Sequence, residues 1–186
     1  MIPLYILGLL LRFGPQHGYQ IKKLLREQLE DFTQIKLPTV YYHLEKMEAA
    51  GLITAHCDKQ GARPEKIVYQ VSDTGAGKFK ELLVRSLQFE YRPTFDIDGT
   101  FYFSDALENN ALTESLSRHI TKLKQIIAKL ELHQEETIIH IPEQYKTPAD
   151  IIFRHHLVHY KAELVWAEQS YNSLKEAEEN GKIQSY

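Results

Sequence analysis

The order of elements between residues 37 and 75 constrains this chain more than any other feature. An amphipathic segment that begins at Pro38 ends at Gly51, and two short apolar runs with a polar loop between them follow. Ser72 or Asp73 can then cap another helix. A helix ended by glycine, a hairpin and a capped helix are typical of a winged helix-turn-helix. We therefore predict a mainly α fold with a small β-hairpin wing, and DNA as a partner.

The helix that begins at Pro38, the third along the chain, is the one expected to enter the major groove of DNA. Its apolar residues Val40, Leu44 and Met47 recur at spacings of four and three, so they share the inner face. The polar residues on the other faces can reach base edges or phosphates. The predicted contacts of this helix and of the residue before it are Lys36, Thr39, Tyr41, Tyr42, His43 and Lys46.

The predicted wing joins strands around Leu52–Cys57 and Ile67–Val71. Its loop carries Lys59 and Arg63, and Lys66 ends it, so three cations are available to a phosphate backbone. Two alternatives remain open, namely a small helical domain whose exposed face is merely polar, and a winged helix that binds another protein. The basic tip favours DNA over both.

Charge is divided unevenly along the chain. Residues 1–80 carry 11 Lys and Arg against 8 Asp and Glu, whereas residues 81–186 carry 11 against 17. A front half of +3 and a rear half of -6 suit a protein that approaches phosphate with one end only.

The apolar opening segment, Ile2–Leu11, is expected to form a buried helix that ends before Gly14. It lacks a positive leader and is much shorter than the ~20 residues of a membrane span, so we expect neither export nor insertion.

Cys57 is the only cysteine, which excludes an intrachain disulfide and suits the cytoplasm. Cys57 is interpreted as an apolar filler in a strand, in preference to a redox thiol.

The rear half is predicted to be helical, including Pro93 to Ser104. Two heptad patterns follow, and Thr147-Pro148-Ala149-Asp150 is read as the start of the last helix. The domains expected are 1–91, a winged helix-turn-helix, and 94–186, a helical dimerisation or effector domain. The residues assigned to dimer contacts are Leu7, Leu10, Leu116, Ile120, Leu123, Ile127, Phe153, Leu157, Tyr160, Leu164 and Tyr171.

A polar edge on the last helix has three interpretations. His155, His159 and Glu163 are spaced by four residues, which allows a metal site. The same edge could instead line an effector pocket, or be a solvated or dimer-facing polar surface, and this last interpretation is preferred. We predict neither a bound metal nor a cofactor. The effector candidates are Arg154, His156, His159, Glu163 and Trp166.

Catalysis is not expected, because the chain has no Gly-rich phosphate loop, nucleophile motif or paired-Cys frame.

The order of five short segments resembles the PadR family of transcriptional regulators. The segments are Ile6-Leu-Gly-Leu-Leu10, Gly18-Tyr-Gln-Ile21, Val40-Tyr41 with Leu44 and Met47-Glu48, Gly51-Leu-Ile53, and Tyr69-Gln-Val-Ser-Asp-Thr-Gly75.

The PadR resemblance implies a homodimer that binds a pseudo-palindromic operator and usually represses. It also implies that a small aromatic or amphipathic effector releases the DNA or retunes its binding. The rear half is similar by pattern to the phenolic-acid-responsive group. A metal-responsive regulator using the histidine cluster is the alternative.

Overall fold

The computed structural model describes residues 1–29, 35, 37–58, 66–108 and 110–180. The chain divides into two compact units, Met1–Arg92 and Pro93–Tyr186. Along the described residues, no helix combines the length and the apolar character that crossing a membrane requires.

The N-terminal unit contains four helices and a small antiparallel sheet. The helices are α1 (Ile2–Phe13), α2 (Gly18–Leu29), α3 (Leu37–Ala49) and α4 (Asp73–Ser86). The strands are β1 (Gln16–His17), β2 (Ile53–Asp58) and β3 (Lys66–Val71), in the order β1-β3-β2. The mainly helical fold with a hairpin is confirmed, and β1 adds a third strand that the sequence did not indicate.

One apolar core holds this unit together. The face of α3 predicted to point inward does so, since Val40 and Leu44 are fully buried and Met47 nearly so. They pack with Ile6 and Ile21 of the first two helices. Burial of side chains of this size contributes about 1.5–3 kcal/mol each. The core therefore fixes which face of α3 is left exposed.

The turn after α3 is closed by backbone hydrogen bonds and by one serine. Gly51 has φ +68°, its N–H donates to the Glu48 carbonyl at 2.9 Å, and Leu52 N–H donates to the Met47 carbonyl at 2.9 Å. This pair of bonds is a Schellman motif, which favours glycine at the left-handed position. The Ser72 hydroxyl donates to the Gly51 carbonyl at 2.6 Å and accepts from Gly75 N–H at 3.0 Å. Ser72 thereby joins the end of α3 to the start of α4.

The C-terminal unit contains three helices, α5 (Asp96–Tyr102), α6 (Ala111–His140) and α7 (Glu143–Glu179). A 3-10 turn at Ser104–Ala106 follows α5, so the helical interpretation of this region holds for most of it. Because only Ile141 and Pro142 separate α6 from α7, the two long helices form a hairpin.

The heptad residues of α6 and α7 face each other within one chain. Leu116, Leu123 and Ile127 of α6 are buried, as are Phe153 and Leu157 of α7. Tyr160, Leu164, Ile120 and Tyr171 pack against the same two clusters. Leu7 and Leu10 belong to the N-terminal core. Of the eleven side chains assigned to dimer contacts, seven are thus buried within their own chain, and Ile120, Tyr160, Leu164 and Tyr171 are partly buried.

The predicted start of the last helix was wrong. α7 begins at Glu143, directly after Pro142, and Pro148 lies inside it. Pro142 ends α6 equally well, and an internal proline removes only one backbone hydrogen bond near the helix start. Asp150 does not cap the helix, since its Oδ1 accepts from Gln134 Nε2 on α6 at 2.8 Å.

Candidate functional site

The exposed face of α3 is rich in aromatic and basic side chains. Tyr41 and Tyr42 are 41% and 51% exposed although they flank fully buried residues, and Lys46 is exposed one turn further along. His43 and Thr39 are partly buried beside them. Five of the six residues assigned to DNA contact at α3 therefore lie on or beside one accessible surface, while Lys36 lies outside the described residues.

A residue of α2 completes this surface. Lys22 Nζ lies 4.4 Å from the centroid of the Tyr41 ring, a cation–π distance. The ring also packs against Gly18, where a Cβ would lie 2.7 Å from Tyr41 Cε1. The glycine at the start of α2 thus makes room for the tyrosine of α3. Tyr41 therefore contacts two residues of α2.

A second cation–π contact lies within α3 itself. Lys46 Nζ is 4.7 Å from the Tyr42 ring centroid, and the Tyr42 and His43 rings meet edge to face at 5.3 Å. Burial lowers the pKa of His43, and the positive charges of the N-terminal amine and of Lys46 lower it further. The imidazole is therefore neutral near pH 7 and offers a hydrogen bond instead of a charge.

Among its described residues, the hairpin contributes one cationic side chain. Lys66 is exposed at the start of β3, opposite Asp58 in the strand register. Lys59 and Arg63, which the sequence assigned to the wing, lie outside the described residues. On β2, Cys57 is exposed and does not fill the core as the sequence suggested. Cys57 lies on the same side of β2 as the buried Ile53, so its exposure reflects its position near the far end of the strand.

A second candidate site is a cavity of about 420 Å³ within the C-terminal unit. Glu163 of α7 and His119 of α6 meet in its wall, with Oε1 and Nε2 3.1 Å apart. The Phe101 and Trp166 rings pack edge to face with centroids 5.9 Å apart. The lining residues are Thr94, Phe95, Asp96, Ile97, Phe101, Leu112, Ser115, Leu116, His119, Glu163 and Trp166.

The structure separates the five effector candidates. Glu163 and Trp166 line the cavity, whereas Arg154, His156 and His159 do not. Arg154 is mostly exposed, with Nη2 4.0 Å from Asp150 Oδ2. Arg154 lies on another face of α7, and His156 and His159 lie about two turns and one turn before Glu163 along the helix.

The proposed metal ligands also diverge. The His155 and His159 rings contact each other at 4.8 Å, but Glu163 turns to His119. Within the described ranges, no group of three or more His, Cys, Asp or Glu side chains is arranged to hold a metal ion.

Lys22 and His119 are among the residues of these sites that the sequence did not indicate. Nothing in the spacing of Lys22 refers to α3. For His119 a signal existed. In a helical hairpin that turns at Ile141–Pro142, His119 and Glu163 each lie about 22 residues from the turn and should face each other.

Comparison with known proteins gives a consistent family. Residues 6–81 match the transcriptional regulator PadR-like family. Over 158 residues the chain is 27% identical to the negative transcriptional regulator PadR of Bacillus subtilis (strain 168), covering 84% of this chain and 85% of that protein.

Two solved structures of B. subtilis PadR share the fold. The complex with operator DNA has a TM-score of 0.76 at 23% identity, covering 92% of this chain and 98% of the other. The complex with p-coumaric acid has a TM-score of 0.74 at 22% identity, covering 94% and 99%. At these identities the likeness shows the fold.

Proposed function

Residues 6–81 form a PadR-like transcriptional regulator domain, and on this premise we propose that the chain is a homodimeric repressor of a pseudo-palindromic operator. In this proposal α3 enters the major groove, and the β2–β3 hairpin contacts the phosphate backbone. The B. subtilis relative is a negative regulator, which supports repression over activation. Action on DNA puts the chain in the cytoplasm, which holds the chromosome in bacteria such as that relative.

The observation that carries the proposal is the exposed aromatic and basic face of α3. Tyrosine hydroxyls can bond to phosphates or bases, and the ammonium groups of Lys22 and Lys46 lie beside tyrosine rings of that face. Helix α3 also exposes two carboxylates, those of Glu45 and Glu48. Tyrosines on a surface of this kind, kept in place by cations, suit a polyanion better than an apolar protein partner.

The test is the DNA affinity of matched lysine variants. Lys46→Ala and Lys22→Ala should each weaken binding to a duplex, and each lost phosphate contact should reduce the slope of log K against log salt by about 0.9. Lys129→Ala removes the same charge from the exposed side of α6 and is the control. Fluorescence anisotropy at several salt concentrations measures both quantities. The proposal fails if all three variants bind like the unchanged chain.

The dimer is proposed to use a stripe on α7 that differs from the seam covered by α6. Ile151, Val158 and Val165 repeat every seven residues and are 52%, 60% and 52% exposed. Three exposed β-branched residues at heptad spacing are typical of a helix that packs on a second helix. A twofold axis would set two recognition helices about one DNA turn, roughly 34 Å, apart.

The half-site spacing gives an independent check of this symmetry. Selection of bound duplexes from a random pool should yield inverted repeats whose centres are about 10 base pairs, or a multiple, apart. Single half-sites or direct repeats would contradict the homodimer.

We further propose that a small aromatic effector releases the operator, since the B. subtilis relative was solved with p-coumaric acid.

A further inference from the structure

The cavity of the C-terminal unit has aromatic walls and acidic polar groups. Its volume of about 420 Å³ is within the range of small-molecule sites, which starts near 300 Å³. Phe95, Phe101 and Trp166 contribute rings, while Asp96 and Glu163 contribute carboxylates. A site of this size and mixed lining is suited to an amphipathic molecule that contains one ring.

The charge of the lining decides what kind of polar group such a molecule should carry. The lining residues include two carboxylates and one imidazole, that of His119, and none of them is Lys or Arg. Their formal charge is therefore -2, or -1 if the imidazole is protonated. A carboxylate ligand would lose part of its hydration and meet charges of its own sign. A cation would meet charges of the opposite sign.

The geometry at Glu163 leaves it able to accept from a ligand. Its side chain is one third exposed, and Oε1 lies 3.1 Å from His119 Nε2. Because a carboxylate accepts on two oxygens with about four lone-pair sites, this one contact does not exhaust it. The His119 contact also fixes the position of the carboxylate before a ligand arrives, which reduces the ordering cost of binding.

The aromatic rings favour the same charge. Aromatic faces carry negative electrostatic potential, so ammonium groups bind over Trp, Tyr and Phe rings. Trp166 is partly buried at 5.9 Å from the Phe101 ring, and Phe95 is 52% exposed at the rim. Indole, phenyl and carboxylate groups are the combination that recognises organic cations.

We propose that this cavity binds an aromatic organic cation, such as an arylalkylamine. Its ammonium group is bound by Glu163 and Asp96, and its ring packs against Trp166 and Phe101. The biological role rests on the proposed function, in which the cation would be the effector, but binding itself does not require DNA. The chemical class is opposite in charge to p-coumaric acid, with which the B. subtilis relative was solved.

The chain carries its own reporter for this test. Trp166 is the only tryptophan, so its fluorescence follows the cavity alone. The full chain is titrated with 2-phenylethylammonium and benzyltrimethylammonium, and with 3-phenylpropionate and p-coumarate as anionic counterparts. We expect a saturable change with the cations and at least about tenfold weaker binding of the anions. Anions that bind as tightly as the cations, or cations that do not saturate up to millimolar concentration, overturn the proposal.

Matched variants locate the binding. Glu163→Gln and Asp96→Asn should each weaken cation binding by a measurable factor of up to roughly tenfold and bring the cation and anion affinities closer together. Glu168→Gln is the control, because Glu168 lies on the same helix, pairs with Lys124 at 2.8 Å and does not line the cavity. Asp96 lies on α5, so its variant keeps the test valid if Glu163→Gln disturbs the α6–α7 hairpin. Unchanged cation binding in both cavity variants would overturn the assignment.

Anisotropy with duplex DNA, measured on the same samples, separates the two proposals. DNA binding without saturable cation binding overturns this inference and leaves the proposed function in place. Cation binding without DNA binding overturns the proposed function and leaves the binding site in place. When both occur, addition of the cation should change the DNA affinity, and an unchanged affinity would overturn the effector role.

Discussion

Gly18 of α2 and Tyr41 of α3 are so close that a Cβ at position 18 would lie 2.7 Å from Tyr41 Cε1. The alanine variant must therefore displace the tyrosine ring, which also contacts Lys22. We expect Gly18→Ala to reduce DNA affinity by roughly three- to tenfold while the chain stays folded. Anisotropy measures the affinity, and circular dichroism checks the fold.

Tyr41→Phe provides the comparison for that prediction, because it retains the ring and the Lys22 contact but loses the hydroxyl. If Gly18→Ala bound DNA like the unchanged chain, the position of Tyr41 would be irrelevant to recognition. Loss of affinity in Tyr41→Phe alone would instead assign the role to the hydroxyl.

Gly75 and Gly77 form a matched pair for stability. A Cβ at Gly75 would collide with the Leu52 carbonyl oxygen, whereas one at Gly77 meets nothing within 4 Å. We expect Gly75→Ala to lower the free energy of unfolding by about 1–3 kcal/mol, since backbone must move. Gly77→Ala should raise it by about 0.5–1 kcal/mol through helix propensity. Urea denaturation measures both, and equal effects would contradict the described turn.

His43 should make stability depend on pH. Its pKa is lowered in the folded chain from about 6.5, so the unfolded chain binds the proton first as pH falls. Its contribution to stability is therefore present above about pH 6.5 and is lost as pH falls from there through the lower folded value. In His43→Gln the loss of unfolding free energy between pH 7.5 and pH 5.5 should be smaller. Identical pH slopes in urea denaturation would refute this.

The outer stripe of α7 makes a prediction about assembly. Val158→Glu places a carboxylate in the middle of the stripe, and burying it in an interface would be costly. We expect the dimer to dissociate at micromolar concentration, measured by sedimentation velocity. Gln125→Glu, which adds the same charge to an exposed position of α6, should not alter association. Equal molecular weights for both variants would count against the stripe.

Local signals were enough to predict much of the N-terminal unit. Gly51, Ser72 and the spacing of Val40 and Leu44 each act within a few residues, so their effect can be read from the sequence. β1 was not predicted, because two residues carry no period and their pairing with β3 is a long-range contact.

The C-terminal unit shows what periodicity cannot decide. A heptad repeat identifies an apolar face but not the helix that covers it, so the repeat did not show that Leu116 and Leu123 pack within the chain. The contact between His119 and Glu163 spans 44 positions and depends on the register of the hairpin.

The hydrogen bonds of Ser72 have a mechanical consequence. One oxygen atom is bonded both to the carbonyl that closes α3 and to the first turn of α4. A rotation of α4 must therefore carry the end of α3 with it or break one of these bonds. Helix α3, which is proposed to read DNA, is thus mechanically coupled to α4, the last helix of the N-terminal unit. A torque on α4 would change the direction of the tyrosines of α3.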